Sequence, residues 1–355
     1  MSLFFLKFFI TNIVFSVILC SLFTRFNGNG RYSNSELLLY SLGLGPAFAT
    51  LLLYYSFLIL PDHSNIFYLI LIVSVYSVLA FMGRKSFKHI FGDVKKNVKK
   101  VFAVKDSAFG KIEHITLIVI IFVPLAVYLF FYLTKILQQP LIGHDILNYG
   151  ITGRMLFDEK SLAPVWIKNF AKSGYIYGAL HAPSFSLLLT WEELINSFLH
   201  VKSDLYFRSI SVYYGLLIIG VQFYWVSKKS KWLAVLAVFA LLSGLLFFTN
   251  FLYPHLDTYR IFFFIMSLIY LAYAVKKPDY LSIILFGIFS GFAAYAHRIG
   301  VVTTVISCGT FIVMMDDRCK SRVIKAAIVI MVILAFGGDH YIFDLIWGRG
   351  AWIHR

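Results

Sequence analysis

The feature of this sequence that most restricts its fold is a series of long apolar runs that carry almost no charge. A helix needs about 20 apolar residues to cross a hydrocarbon core of roughly 30 Å, and several runs reach that length. Only 14% of the 355 residues are charged and 60% are hydrophobic, whereas a soluble domain is about a quarter charged. Because backbone polar groups in lipid must be satisfied internally, the runs predict an all-α polytopic membrane protein.

Ten runs in the sequence are candidates for membrane-spanning helices. They cover residues 3–24, 36–60, 65–83, 115–137, 207–227, 232–252, 259–275, 280–296, 299–315 and 322–337. The last four are short, so their ends are the least defined. The first run contains Lys7 and is followed by no small-x-small cleavage motif. We therefore interpret it as a retained helix and not as a signal peptide.

The distribution of Lys and Arg among the loops predicts which side of the membrane each loop faces. Segment 84–111 carries nine Lys or Arg against two Asp, so it is predicted to be cytoplasmic. Counting spans from there places the basic turns 228–231, 276–278 and 316–322 on the same side. Cytoplasmic segments then hold 20 Lys or Arg and 7 Asp or Glu, a net charge of +13, and outer segments hold 12 and 10, a net charge of +2. The net positive charge of the chain is therefore explained mostly by its membrane topology, with attraction to anionic lipid as a further contribution. No nucleic-acid partner is expected.

This orientation requires that the run at residues 179–200 does not cross the membrane. Its apolar residues recur at helical spacing and its polar residues fall opposite them, which predicts an interfacial helix. The apolar positions are Leu187, Leu188, Trp191, Leu194, Ile195, Phe198 and Leu199, and the polar positions are Glu192, Glu193, Asn196 and His200. Residues 138–206 then form one long outer loop, and loops of that length are usually functional.

Three predicted outer segments combine histidine with other ionisable residues. These segments are 143–154, 253–260 and 296–298. Asp145 and Tyr149 are four residues apart and would share one helical face, and Asp257 and Arg260 flank the outer end of the seventh span. Ionisable groups that face a bundle at a membrane boundary are costly to hold, so they predict a functional site. The alternative is that each group lies in a solvated loop.

A metal site is a weaker prediction from the same segments. His144, Asp145, His255 and Asp257 offer ligand types that a divalent metal ion accepts. The sequence contains no HExxH, DxD or CxxC motif that would strengthen this interpretation. The three cysteines show neither disulfide-type nor metal-type spacing. A divalent metal ion therefore remains the one cofactor that the pattern leaves open.

A set of short motifs resembles a known family. The first long outer loop opens with Asp145 and Tyr149, His181-Ala182-Pro183 follows, and Phe207–Ser211 begins the next span. A later outer turn contains Asp257-Thr258-Tyr259-Arg260, and another contains the basic pair His297-Arg298. Residues 112–337 with these motifs resemble the GT-C superfamily of polytopic glycosyltransferases. Within that superfamily they are most similar to the branch of bacterial aminoarabinose transferases and protein O-mannosyltransferases. Members of that branch carry an HPP-type motif, and this sequence differs from it in having HAP, with Ala182 at the second position.

The apolar runs and the resemblance, which covers only residues 112–337, together predict a division of the chain into three parts. Residues 1–111 would form three N-terminal membrane helices with a basic cytoplasmic loop. Residues 112–337 would form a seven-span GT-C-like core with its catalytic loop at 138–206. Residues 338–355 would be a short outer tail. Many members of the superfamily carry a further domain or more helices at this point, so the part that binds the acceptor could be supplied here by a partner subunit.

The resemblance also implies an activity for these residues. Members transfer a sugar from a polyprenyl-phosphate or polyprenyl-diphosphate donor to a glycan, lipid or protein acceptor, on the extracytoplasmic face of the plasma or inner membrane. By this likeness Asp145 is the catalytic base, and Asp257 matches the acidic residue of the second outer loop of the family's catalytic site. The implied substrate-binding residues are His144, Tyr149, His181, Tyr259, Arg260, His297 and Arg298, with Arg208 in reserve for the lipid phosphate. The alternatives are a non-catalytic subunit of the same fold that binds lipid or scaffolds a complex, and a transporter.

Overall fold

The computed structural model describes residues 2–28, 30, 32–101, 108–136, 144–162, 182–276, 278–315 and 319–346. Every regular element within these ranges is a helix, and no strand occurs among them. The predicted all-α fold class is therefore confirmed.

The helices follow one another along the chain with short connections. The first eight are α1 (Leu3–Phe26), α2 (Asn34–Leu42), α3 (Leu44–Ile59), α4 (Asn65–Gly83), α5 (Phe87–Val101), α6 (Ala108–Phe131), α7 (His144–Glu159) and α8 (Ser184–Leu199). The rest are α9 (Leu205–Ser227), α10 (Lys231–Leu242), α11 (Leu245–Leu252), α12 (Leu256–Lys276), α13 (Tyr280–Ala296), α14 (Arg298–Met314), α15 (Cys319–Ile333) and α16 (Asp339–Ile346).

Each predicted span coincides with an apolar helix or with a bent pair of helices. Within the ranges that the structure describes, five helices are individually long and apolar enough to cross a membrane: Leu3–Phe26, Asn65–Asp93, Leu205–Ser227, Leu256–Lys276 and Ser321–Ile342. Two bent pairs raise this number to seven, with α2 and α3 bent by 50° and α10 and α11 by 73°. The other predicted spans fall on shorter apolar helices, Ile118–Thr134, α13 and α14. The helices thus agree with a membrane protein, while the full set of ten spans remains a prediction.

Large apolar side chains are exposed on the outer faces of these helices. The exposed residues include Leu245, Leu246, Val305 and Val313, each more than 60% accessible. Contiguous apolar surface of this kind is unfavourable in water and is expected where a helix faces lipid. The exposure therefore agrees with helices that lie in a bilayer.

The chain divides into two compact units, and each combines three separate stretches of sequence. Unit 1 contains Met1–Gly45, Tyr76–Ile142 and Leu205–Thr258, and unit 2 contains Pro46–Val75, Gly143–Asp204 and Tyr259–Arg355. These units cut across the predicted boundaries at residues 111 and 337. The predicted three-part division stays a prediction.

In unit 1, the bend between α2 and α3 frees backbone carbonyls that hydroxyl groups then satisfy. Tyr213 and Tyr214 donate to the carbonyls of Leu42 and Gly43 at 2.6 and 2.7 Å. The Ser16 hydroxyl also donates to the Leu42 carbonyl at 2.9 Å. A buried carbonyl without a partner costs about 1–3 kcal/mol, so these bonds stabilise the bend.

The second bend in unit 1 lies beside an aromatic core. The Tyr128 hydroxyl donates to the carbonyl of Leu242, the last residue of α10. The surrounding buried cluster comes from α6, α9, α10 and α11 and from the π-helical turn after α6. Its members are Tyr128, Tyr132, Val212, Ile219, Val238, Leu242, Phe251 and Leu252. This packing involves the N-terminal half of α9, where a predicted motif lies.

In unit 2, two glycines let the helix α13 approach the segment that follows α15 very closely. A Cβ atom on Gly287 would lie 2.8 Å from Val332, and one on Gly291 would lie 2.8 Å from the Cβ of Phe336. Small residues at this four-residue spacing are typical of tightly packed membrane helices. This four-residue spacing of glycines is present in the sequence at Gly287 and Gly291, but no prediction of close helix packing was drawn from it.

The helix α8 differs from its predicted amphipathic orientation. Its predicted apolar residues Leu187, Leu188, Trp191 and Leu194 are buried, as expected. However, Glu192 and Asn196 on the predicted polar face are also buried, and Phe198 is 58% exposed. The Asn196 amide donates to the Ser203 carbonyl at 2.6 Å, so it connects the helix to the chain that follows it. The prediction of a solvated polar face at Glu192 and Asn196 was therefore wrong.

Candidate functional site

The predicted outer segment 253–260 is held in place by a serine of the Phe207–Ser211 motif. In unit 1, the Ser211 hydroxyl donates to the His255 carbonyl at 2.9 Å and accepts the His255 backbone N–H at 2.8 Å. The Thr258 hydroxyl donates to the Ser211 carbonyl at 3.0 Å. These three bonds fix the turn immediately before the start of α12.

That turn presents a histidine and a carboxylate side by side. His255 Nδ1 lies 3.0 Å from Asp257 Oδ2, and the two side chains are 27% and 13% exposed. Asp257 lies in the first turn of α12, where the helix dipole stabilises a carboxylate. This pair can accept a proton or a hydrogen bond from a substrate hydroxyl.

The remaining polar residues of the Phe207–Ser211 motif lie at the N-terminal end of α9. The Ser209 hydroxyl donates to the Leu205 carbonyl at 2.6 Å and lies 2.7 Å from the hydroxyl of Tyr132. The charge of Arg208 acts on the same tyrosine. The motif thus combines two structural serines with a cation, and the reserve role of Arg208 stays a prediction.

In unit 2, one aromatic side chain joins two predicted site residues from distant parts of the sequence. The ring centroid of Phe185 lies 5.3 Å from that of Tyr149 and 6.0 Å from that of Tyr259. Tyr149 is on α7, the helix that begins with His144 and Asp145, and Phe185 follows the HAP motif. The side chains of His144 and Asp145 lie outside the described part of the structure, as does the whole of His181.

The helices α7 and α8 meet at a glycine. A Cβ atom on Gly153 would lie 2.5 Å from the Ser186 carbonyl oxygen, and the Thr190 hydroxyl donates to the Gly153 carbonyl at 2.8 Å. Nearby on the surface, Arg154 lies 3.2 Å from both Asp158 and Glu193. Arg154 is 54% exposed, so these ion pairs add little stability.

We expect that Gly153→Ala disturbs this packing and reduces the free energy of unfolding by about 1–3 kcal/mol, since the added methyl group must displace backbone. Equilibrium unfolding of the purified protein in mixed micelles would measure this loss of stability. The matched control is Gly150→Ala, where the nearest atom to an added Cβ is 4.0 Å away. Equal stability of the two variants would show that α7 and α8 are not closely packed.

Tyr259 is also the start of a buried polar cluster that sequence analysis did not identify. Its hydroxyl lies near the side chains of Ser184 and Thr50. The Tyr295 hydroxyl donates to the Thr50 carbonyl at 3.4 Å, and its ring lies 5.6 Å from that of Tyr54. These residues extend the aromatic contacts of Tyr149 towards the C-terminal helices of unit 2.

The cluster ends at a break in the helix formed by α15 and α16. Gly337 has a φ of +111°, and a Cβ atom there would lie 2.3 Å from Tyr295. After the break, His340 is 5% exposed and its ring lies 5.9 Å from Tyr54. Its Nδ1 has no hydrogen-bond partner among the residues that the structure describes. The Asp339 carboxylate lies beside the Tyr55 hydroxyl. A Gly-Gly-Asp-His sequence at a span end was the signal that could have indicated this cluster.

The predicted basic pair lies in the tight turn between α13 and α14. His297 caps α14, because its Nδ1 accepts the Ile299 N–H at 3.1 Å. Arg298 is exposed at the first position of that helix. Arg260, on α12 directly after Tyr259, is half-buried. Arg298 is therefore the more accessible of the two candidate phosphate ligands in unit 2.

No group of three or more His, Cys, Asp or Glu that could hold a metal ion occurs among the side chains that the structure describes. His255 and Asp257 supply two suitable donors, which alone do not form a complete site. The metal prediction therefore stays untested, since two of its four residues are His144 and Asp145.

Comparison with protein-family models, with curated proteins and with solved structures finds no match to this chain.

Proposed function

We propose that this protein is an integral-membrane glycosyltransferase that uses a polyprenyl-phosphate or polyprenyl-diphosphate sugar donor on the extracytoplasmic face. The observation that carries the proposal is the contact of Tyr149 and Tyr259 with Phe185. It brings α7, the helix that begins at His144 and contains Asp145, next to the helix that follows HAP and to Tyr259 of the Asp-Thr-Tyr-Arg segment. These are the segments on which the GT-C resemblance rests.

The predicted topology is supported by contacts between loop ends that it assigns to the same side. In unit 1, Asn34 donates to Asp93 at 2.7 Å, and Lys228 lies 3.1 Å from Glu36. All four residues are assigned to cytoplasmic ends. In unit 2, the Asn65 amide donates to the Ser197 hydroxyl at 2.7 Å, and both residues are assigned to the outer face.

The topology predicts opposite labelling of two exposed positions. Glu159→Cys, at the end of α7, should react in intact cells with a maleimide that does not cross membranes. Lys96→Cys, on α5, should react only after the cells are permeabilised. The unsubstituted protein gives the background from its own cysteines. Reaction of both variants from the same side would show that the span count is wrong.

The proposed reaction exchanges one bond for another at the anomeric carbon of the donor sugar. An acceptor hydroxyl attacks that carbon while the Asp145 carboxylate takes its proton. The bond from the anomeric carbon to the phosphate oxygen breaks, and the phosphate leaves with the electron pair. Because the phosphate leaves already charged, it needs cations more than it needs an acid.

Several of the predicted site residues are proposed to support this reaction. Arg298 is proposed to hold the leaving phosphate, and an arginine can bind two phosphate oxygens at once. Arg260 and Arg208 are the reserve cations. Asp257, held beside His255, is proposed to orient a sugar or acceptor hydroxyl. The polyprenyl tail is proposed to lie along the outer helix ends near α8.

A transfer assay tests the proposal. The purified full chain is placed in vesicles with a labelled polyprenyl-phosphate sugar and a mixed set of glycan, lipid and peptide acceptors. Transfer or consumption of the labelled donor is expected. Binding of the donor without any turnover would instead favour the non-catalytic subunit.

A further inference from the structure

We infer that a pocket of unit 1, on the predicted cytoplasmic face, binds a phosphate group. The pocket lies far along the chain from the proposed catalytic residues, among the ends of α1 and α4 and the starts of α2 and α5. Its volume is about 560 Å³, within the range of small-ligand sites. It is lined by Thr24, Arg25, Asn27, Gly30, Tyr32, Ser33, Asn34, Lys85, Ser86, His89 and Asp93.

The charged side chains of the pocket favour an anion. Arg25 and Lys85 each contribute a positive charge, and His89 adds a ring that can donate a hydrogen bond. The one acidic residue in the lining is Asp93, and its Oδ2 already accepts a hydrogen bond from Asn34 at 2.7 Å. The lining therefore carries a net positive charge. Lys88, which is exposed and three residues after Lys85, adds a further positive charge.

The walls of the pocket are fixed by hydrogen bonds. Arg25 donates one N–H to the Met82 carbonyl at 2.7 Å, which positions a guanidinium that has five N–H groups in total. The Asn27 amide donates to the Tyr32 carbonyl at 2.7 Å and closes the loop between α1 and α2. A cation held in this way loses less conformational freedom when it binds a phosphate.

One helix start also contributes to the pocket. Ser33 caps α2 by accepting the Glu36 N–H at 3.1 Å, and Asn34 is the first residue of that helix. The positive end of the α2 dipole is thus at the pocket, and it adds to the attraction for a phosphate.

The surroundings of the pocket suit a phosphate that is attached to a lipid. Phe26, Phe81 and Phe91 are each about 60% exposed and are close in sequence to lining residues, at the ends of α1 and α4 and on α5. Such rings can contact acyl chains at the level of the lipid headgroups. The same cations would also bind a soluble phosphate compound, so the experiment must distinguish the two sources.

The experiment measures binding to the purified full chain in detergent micelles. The probes are dioctanoyl phosphatidic acid, dioctanoyl phosphatidylcholine and inorganic phosphate, with native mass spectrometry and thermal stabilisation as the readouts. Substitution of both Arg25→Gln and Lys85→Gln should weaken binding of a phosphate probe at least tenfold. The matched control removes the same charge from the exposed face of α5 with Lys95→Gln and Lys96→Gln, and should leave binding unchanged.

Each outcome has a defined meaning. Stronger binding of phosphatidic acid than of inorganic phosphate identifies a lipid as the source, and equal binding identifies a soluble phosphate compound. If the pocket variant and the control variant lose phosphate binding equally, the proposal is overturned, because the phosphate would then be attracted by the positive charge of the whole surface and not by the pocket. If the double variant does not fold, Lys85→Gln alone is compared with Lys95→Gln, because Lys85 is exposed.

Discussion

Asp145→Asn is expected to reduce sugar transfer by about 100- to 10,000-fold, which is the range that a general base contributes to catalysis. Asparagine has nearly the same shape as aspartate, but it cannot take the proton of the acceptor hydroxyl. Donor binding should be nearly unchanged, because the loss affects the transition state more than the bound donor. The transfer rate and the donor dissociation constant would be measured in the same vesicles.

The matched control for this variant lies on the same helix. Asp158 is 56% exposed and pairs with Arg154, so Asp158→Asn removes the same charge from α7 without affecting a predicted site residue. Transfer by Asp158→Asn should equal that of the unsubstituted protein. If Asp145→Asn is also fully active, Asp145 is not the base, and the His255–Asp257 pair becomes the leading candidate.

The apolar runs predicted the helices because length and hydrophobicity are properties of each segment alone. They did not predict the bend at Gly43, where the freed carbonyls of Leu42 and Gly43 receive hydroxyl groups from α9. Those donors, Tyr213 and Tyr214, are about 170 residues away in the sequence. A bend stabilised by such distant partners cannot be inferred from the residues around it.

The helix α8 shows the limit of periodicity. The spacing correctly grouped Leu187 and Leu194 on a buried face, but it could not show how many faces of the helix are covered. Glu192 is fully buried because further elements pack on the side that the pattern assigned to solvent. Periodicity shows which residues share a face and does not show what lies opposite each face.

The candidate site was predicted in parts and not as an arrangement. Tyr149 and Tyr259 were chosen for separate reasons, and their common contact with Phe185 is a long-range feature. Asp339 and His340 were assigned to a tail, because the apolar run ends just before them. The break at Gly337 turns the chain so that His340 is buried beside Tyr54.

Gly300→Ala is expected to produce the largest loss of stability among the glycine substitutions. A Cβ atom on Gly300 would lie 1.8 Å from the carbonyl oxygen of Ala293, closer than any real contact. The Gly300 N–H donates to the His297 carbonyl at 2.7 Å, so the turn has no room to shift locally. Because backbone must move on both α13 and α14, we expect a loss of about 3 kcal/mol in the free energy of unfolding.

The control for this prediction is on the same helix, where Gly309 has nothing within 4 Å of an added Cβ. Gly309→Ala should not destabilise the protein, since alanine favours a helix by about 1 kcal/mol over glycine. Unfolding of both variants in mixed micelles measures the difference. The turn also carries Arg298, so the folded fraction of Gly300→Ala should transfer sugar more slowly as well. Equal stability of the two variants would show that α13 and α14 are separated further than the structure places them, and it would weaken the proposal that this turn positions Arg298 for a phosphate.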